Sequence, residues 1–298
     1  MAFSVSRFLV LMPTVLFMVS CFAPKVIIQE QVLFNDLVAN NDQVYRHTLE
    51  VGRDRLFYAA SGDPKKPAII IIHGTPGDWK QYARYLVDEA LLKHFYVLVI
   101  DRPGWGLSLL GGEKQIASFG EQAKMISFLA EKLKSNSGNQ PVVLMGHSLG
   151  ASIAPKVAMD YPQSVDGLLL FAGTLSPDLS DPRWFNHVAK MSGVNFIIGD
   201  MMRKSNKEIL ALKAEMTLMA PRWNSVKVKT IVVQGMRDAL VYPENVVFAE
   251  THLNASVTEV VRLQDEGHLF PMTRRDDVVM WATCLLKKIT AETVACSD

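Results

Sequence analysis

A serine hydroxyl becomes a useful nucleophile when a tight turn lifts it clear of the backbone, and Ser148 stands in such a turn. It lies in Gly146-His147-Ser148-Leu149-Gly150. The preceding Pro141–Met145 reads as a buried strand, and the following Ala151–Asp160 reads as a helix. A G-x-S-x-G between strand and helix is a nucleophile elbow. Side chains do not fit at its flanks, so glycines occupy them. The turn sets the hydroxyl at a helix N-terminus, where the Leu149 N–H can face a developing oxyanion. The competing reading is a serine that only caps the helix.

Such a serine needs a base to take its proton and an acid to orient the base. Of the seven histidines, His268 lies in Asp265-Glu266-Gly267-His268-Leu269-Phe270-Pro271, between the last predicted strand and the last helix. A loop at a sheet edge can carry an imidazole to Ser148. His47, His94, His187 and His252 stand in helical or surface-like contexts and read as structural. His147, next to the nucleophile, points away from it. For the acid, Asp238 follows the predicted strand Thr230–Val233, with Asp178 and Asp181 after the preceding strand as alternatives. Asp265 is too near His268 in sequence to face its ring. A second oxyanion donor belongs in the loop after another strand. His73-Gly74-Thr75-Pro76-Gly77 follows the run Ala68–Ile72, so the Thr75 N–H is expected to partner that of Leu149. His73 reads as a brace of this loop. The chemistry calls for no cofactor and no metal.

The elements that must position these groups alternate. Tyr45–Val51 and Arg55–Ala60 read as a hairpin turning at Gly52-Arg53-Asp54. Ala68–Ile72, Phe95–Ile100, Val165–Phe171, Thr230–Val233 and Val257–Val261 read as buried strands. Trp79–Lys93, Ile116–Leu133 and Asp276–Ile289 carry helical periodicity. Strand and helix in turn imply a mostly parallel sheet flanked by helices, an α/β architecture. The alternation breaks at Thr174–Val228, which reads as a small helical cap, an insertion at about 175–228, over the C-terminal edge of the sheet. Its methionines, Met191, Met201, Met202, Met216 and Met219, either line an adaptable pocket or pack the cap onto the core.

The 298 residues are 49% hydrophobic and 20% charged with a net charge of +1. That suits one globular domain and leaves nucleic-acid binding without an electrostatic basis. Phe8–Val19 is an apolar run after Arg7, too short to span a bilayer comfortably but suited to an export signal over residues 1–20. It ends Met18-Val19-Ser20-Cys21, which resembles a bacterial lipobox. That resemblance implies lipidation at Cys21 and a membrane-anchored envelope protein, with 21–44 as a linker. Another export signal, an uncleaved anchor and a cytosolic extension are the remaining readings. Cys284 and Cys296 could bridge and clip the 291–298 tail to the last helix, or Cys284 could be a buried thiol.

Taken together, the His73–Gly77 loop, Asp101-Arg102-Pro103-Gly104-Trp105-Gly106-Leu107-Ser108, the elbow, Asp238 and Gly267-His268 stand in a familiar order. The chain resembles an α/β-hydrolase-fold serine hydrolase over about residues 45–290. In that family the Asp101–Ser108 loop is mainly structural. The resemblance implies a carboxylic ester hydrolase working through Ser148, His268 and Asp238 and an acyl-enzyme. The substrate would be a small ester-like molecule, and the apolar cap suggests that part of it is apolar. Epoxide hydrolases and haloalkane dehalogenases of this kind carry aspartate where Ser148 stands. Alternatives are the same triad on a thioester, amide, lactone or carbon–carbon bond or in perhydrolysis, and a non-catalytic envelope lipoprotein.

Overall fold

The computed structural model describes residues 38–39, 41–111, 116–191, 194, 198–290 and 296. The signal segment 1–20, Cys21, most of the 21–44 linker and all of the 291–298 tail except Cys296 lie outside the described residues.

In chain order, β1 (Tyr45–Val51) and β2 (Asp54–Ser61) form the hairpin, with Val51 opposite Asp54 and Gly52 at φ 63° in its turn. Then come β3 (Ala68–Ile72), a 3-10 helix (Trp79–Val87), α1 (Glu89–Leu92), β4 (Tyr96–Ile100), α2 (Phe119–Ser137), β5 (Val142–His147) and α3 (Leu149–Asp160). They are followed by β6 (Gly167–Phe171), α4 (Trp184–Ala189), α5 (Gly199–Met219), β7 (Lys229–Gly235), α6 (Asn245–His252), β8 (Thr258–Leu263), α7 (Phe270–Thr273) and α8 (Arg275–Ile289). The eight strands lie in the order β1-β2-β4-β3-β5-β6-β7-β8. β2 runs antiparallel to β1 and β4, and β4, β3, β5, β6, β7 and β8 are mutually parallel.

The continuous β-branched runs have a simple cause: both faces of the sheet are covered. Successive side chains alternate between faces. Ile70, Ile72, Leu144 and Leu170 share one core with Met125, Leu129 and Val157 of α2 and α3. Ile69, Ile71, Met145 and Phe171 share the other with Tyr82, Tyr85, Trp281 and Leu285.

Two helices differ from their expected course. Trp79–Lys93 is not one helix, because Asp88 interrupts it. The Asp88 backbone is extended (φ −82°, ψ 104°), and its carboxylate accepts the Leu91 N–H at 3.0 Å. A short acceptor side chain favours capping over continuation. α2 starts at Phe119 rather than Ile116, because the Ser118 hydroxyl accepts the Glu121 N–H at 3.4 Å.

Between β6 and β7 the described residues contain no strand; the segment holds 3-10 turns (Pro177–Leu179 and Ala220–Ser225) together with α4 and α5. The five methionines divide. Met216 and Met219 are buried in the core, while Met191, Met201 and Met202 are exposed. Cys284 of α8 is disulfide-bonded to Cys296, with Cα atoms 5.7 Å apart, so the bridge holds that point of the tail against α8.

Candidate active site

Parallel strands deliver the residues after their C-terminal ends to one edge of the sheet. His73–Thr75 follow β3, Asp101–Arg102 follow β4, Ser148 follows β5, Asp238 follows β7 and His268 follows β8. Thus residues scattered along the chain share one edge.

Ser148 has φ 54° and ψ −122°, a sparsely populated region for a residue with a side chain. Its amide donates to Phe171 O at 2.9 Å, which ties the turn to β6. The glycines are required by crowding. A Cβ on Gly146 would lie 2.5 Å from Gly150 O, and one on Gly150 would lie 2.2 Å from Ile72 O. The Ser148 side chain makes no capping bond to α3, so the plain helix-cap reading has no support in the geometry. The β3 loop abuts the elbow: a Cβ on Gly74 would sit 2.9 Å from Ser148 Cβ. Thr75, the residue expected to give the second amide, adjoins it, and its buried hydroxyl has no hydrogen-bond partner among the described residues.

His268 and Asp238 meet. His268 Nδ1 lies 2.8 Å from Asp238 Oδ2. Asp238 Oδ1 accepts from the Leu240 and Val241 amides at 2.8 and 2.9 Å, and Oδ2 also accepts from Gln234 Nε2 at 3.1 Å. Burial pushes the Asp238 carboxyl up. The His268 hydrogen bond and charge and the two amides outweigh that, and the net shift is below the ordinary value. The competing acids are engaged elsewhere or lie apart. Asp181 pairs with Lys213 at 2.7 Å, Asp265 with Arg237 at 2.5 Å, and Asp178 lies inside the Pro177–Leu179 turn, its N–H donating to the Ser176 hydroxyl at 3.2 Å.

His147 has a role that its place in the motif did not reveal. Its Nε2 lies 2.9 Å from the His268 carbonyl, to which it must donate; Nδ1 then accepts from the Tyr82 hydroxyl at 2.5 Å. This buried imidazole braces the loop that carries His268. Burial, then the His268 charge, lowers the His147 pKa from 6.5 to about 3. Between those values the unfolded chain binds a proton that the folded chain refuses. Stability from this group is therefore full above pH 6.5 and falls as pH drops toward about 3. We expect the acid limb of Tm against pH to be shallower in His147→Gln than in the intact protein. Equal slopes would contradict the assignment.

Two further residues escaped the sequence reading, Arg102 and Glu208. Arg102 lies in the Asp101–Ser108 loop, which the sequence marks only as structural. Glu208 lies on α5 and meets Arg102 only in the folded chain, where both side chains are fully buried and 2.7 Å apart.

A mostly parallel eight-stranded sheet with helices on both faces and a strand–serine turn–helix within it is the α/β-hydrolase fold, and the chain has that fold. Residues 63–207 match the family described as serine aminopeptidase, S33. A 2-hydroxy-6-oxononadienedioate/2-hydroxy-6-oxononatrienedioate hydrolase of Paraburkholderia phymatum is 29% identical over 133 residues, 43% of this chain and 44% of that protein. Epoxide hydrolase 3 of Mus musculus is 27% identical over 122 residues, 40% of this chain and 31% of that protein. The chain thus spans less than half the length of these relatives. The crystal structure of a membrane phospholipase A, described as a novel bacterial virulence factor, aligns with a TM-score of 0.61 at 18% identity. That alignment covers 96% of this chain and 100% of the other, and at that identity the likeness is one of fold.

Proposed function

We propose that this protein is a hydrolase that cleaves carboxylic esters through an acyl-enzyme. The observation that carries the reading is the 2.8 Å contact between His268 Nδ1 and Asp238 Oδ2 on the sheet edge where the Ser148 elbow opens. Ser148 Oγ attacks the ester carbonyl carbon while His268 Nε2 takes its proton. The negative charge moves onto the carbonyl oxygen, where the Thr75 and Leu149 amides stabilise it. Asp238 holds the imidazole with its Nδ1–H and stabilises the imidazolium. The proton passes to the leaving alcohol, and water repeats the sequence to release the acid. None of these steps calls on a metal or a cofactor.

Purified protein is expected to hydrolyse nitrophenyl esters, and comparing short with long acyl chains sizes its pocket. The match to a serine aminopeptidase family favours one second reading, an amide bond as substrate. Turnover of aminoacyl nitroanilides with no turnover of any ester would replace the ester reading with that one.

We also propose that the substrate has an apolar part and that the enzyme works at a membrane surface. Exposed Trp184 and Phe185 on α4 and Met201 and Met202 on α5 support an apolar approach to the segment between β6 and β7. The apolar run ending at Cys21 supports a lipid anchor; two or more acyl chains on that cysteine would hold the protein stably to a bilayer. Among the described residues no helix is long and apolar enough to cross a membrane. Cys21→Ala is expected to move the protein from the membrane to the soluble fraction, and an unchanged distribution would remove Cys21 from the account.

A further inference from the structure

Arg102 makes every hydrogen bond that a guanidinium can make, and all of them are inside the protein. Nε donates to His73 O at 2.9 Å. Nη1 donates to Gln122 Oε1 at 2.8 Å and Glu208 Oε1 at 2.7 Å. Nη2 donates to Gly74 O at 2.9 Å and Glu208 Oε2 at 3.0 Å. Glu208 therefore grips the guanidinium with both carboxylate oxygens, the geometry that best fixes an arginine plane. Glu208 Oε1 is itself held by Trp105 Nε1 at 3.0 Å and Gln122 Nε2 at 3.2 Å.

On its far side the network holds His73 O and, next along the loop, Gly74 O. Gly74 O accepts from Arg102 Nη2 and also from His73 Nδ1 at 2.7 Å. The His73 tautomer is set by its other nitrogen, because Nε2 accepts the Arg102 backbone N–H at 3.0 Å. The peptide between Gly74 and Thr75 is trans. In a planar trans peptide the C=O and the N–H point in opposite directions. Two donors on Gly74 O therefore aim the Thr75 N–H the other way and resist a flip of that peptide.

We propose that Glu208 is a positioning residue for the oxyanion site. From the segment between β6 and β7 it locks Arg102, and Arg102 holds Gly74 O so that the Thr75 N–H stays directed at the substrate oxygen. This rests on the ester-hydrolase reading above and deepens it. It makes that segment a structural partner of the reaction centre. Loss of the Glu208 grip frees the guanidinium to rotate, and the Gly74–Thr75 peptide loses one of its two restraints.

The test separates aim from pocket shape. Two probes with the same alkyl chain are used, a trifluoromethyl ketone that forms a tetrahedral adduct with Ser148 and a plain methyl ketone that only occupies the pocket. In Glu208→Gln the trifluoromethyl ketone is expected to bind roughly tenfold to a hundredfold more weakly, below the full loss of an oxyanion donor. The methyl ketone is expected to bind unchanged, and kcat to fall while KM for a nitrophenyl ester stays. If both ketones weaken together, or neither does, the inference is overturned. Glu208→Asp, which keeps the charge but shortens its reach, is read in the same two affinities and decides the matter if Glu208→Gln shows no cooperative thermal transition. A fluorophosphonate probe on the intact protein keeps the two claims apart. Labelling that needs Ser148, with an unmoved Glu208→Gln, defeats this inference alone, whereas no labelling of the folded intact protein defeats the ester-hydrolase reading and this inference with it.

Discussion

Ser148→Ala is expected to lower turnover of an ester substrate by roughly a million-fold, the scale on which triad nucleophiles fail when removed. The folded state should be indifferent to the change. Alanine bears the positive φ of 54° no worse than serine, because both have a Cβ. The Ser148 side chain caps nothing in α3, so no helix-end bond is lost. The Phe171 carbonyl keeps its backbone donor. The measurement pairs fluorophosphonate labelling with thermal unfolding: labelling should vanish and Tm should hold. Retained ester turnover in the variant would mean that the hydroxyl at the elbow is not the nucleophile.

Asp238→Asn is expected to cost about 10⁴-fold in kcat. The hydrogen-bond inventory at this carboxylate says why so small a change has so large an effect. Oδ1 accepts two backbone amides, from Leu240 and Val241. An asparagine must put its own oxygen there, since an NH₂ would face two donors. Its NH₂ then faces His268 Nδ1, where Asp238 Oδ2 now accepts at 2.8 Å. A donor in that place forces Nδ1 to accept, which moves the imidazole proton to Nε2. An Nε2 that already carries a proton cannot take one from Ser148. The tautomer of His268, read by nitrogen NMR, should switch in the variant while the fold remains. A loss of less than tenfold in kcat would show that Asp238 does not orient the base.

How much of the site was legible depended on how far each interaction reaches along the chain. The elbow is local. Its glycines are demanded by contacts within a few residues, such as Gly146 against Gly150 O, and by one adjacent strand. Local demands leave a pattern in sequence. His268 and Asp238 were legible by position, because each follows a strand and the ends of parallel strands share one edge. The Gly74–Thr75 loop follows a strand in the same way, and the structure sets it against Ser148. The misplacement of the Trp79–Lys93 helix is also instructive. Its apolar periodicity is real, and Tyr82, Tyr85 and Leu91 are all buried. Periodicity reports only which side chains face the core. It does not report the Asp88 cap that breaks the element in two.

By itself, then, the sequence determined the α/β alternation, the buried character of the strands, and the tight Gly146–Gly150 turn between strand and helix, because each is encoded by neighbours in the chain or by a period of two or 3.6 residues. Tertiary structure alone decided that His147 braces the His268 loop through Tyr82, that Cys284 pairs with Cys296, and that Glu208 grips Arg102 behind Gly74. A buried charge is tolerable only beside its partner. Arg102 and Glu208 find each other across 106 positions of sequence, and only the packing of α5 against the β4 loop brings them together.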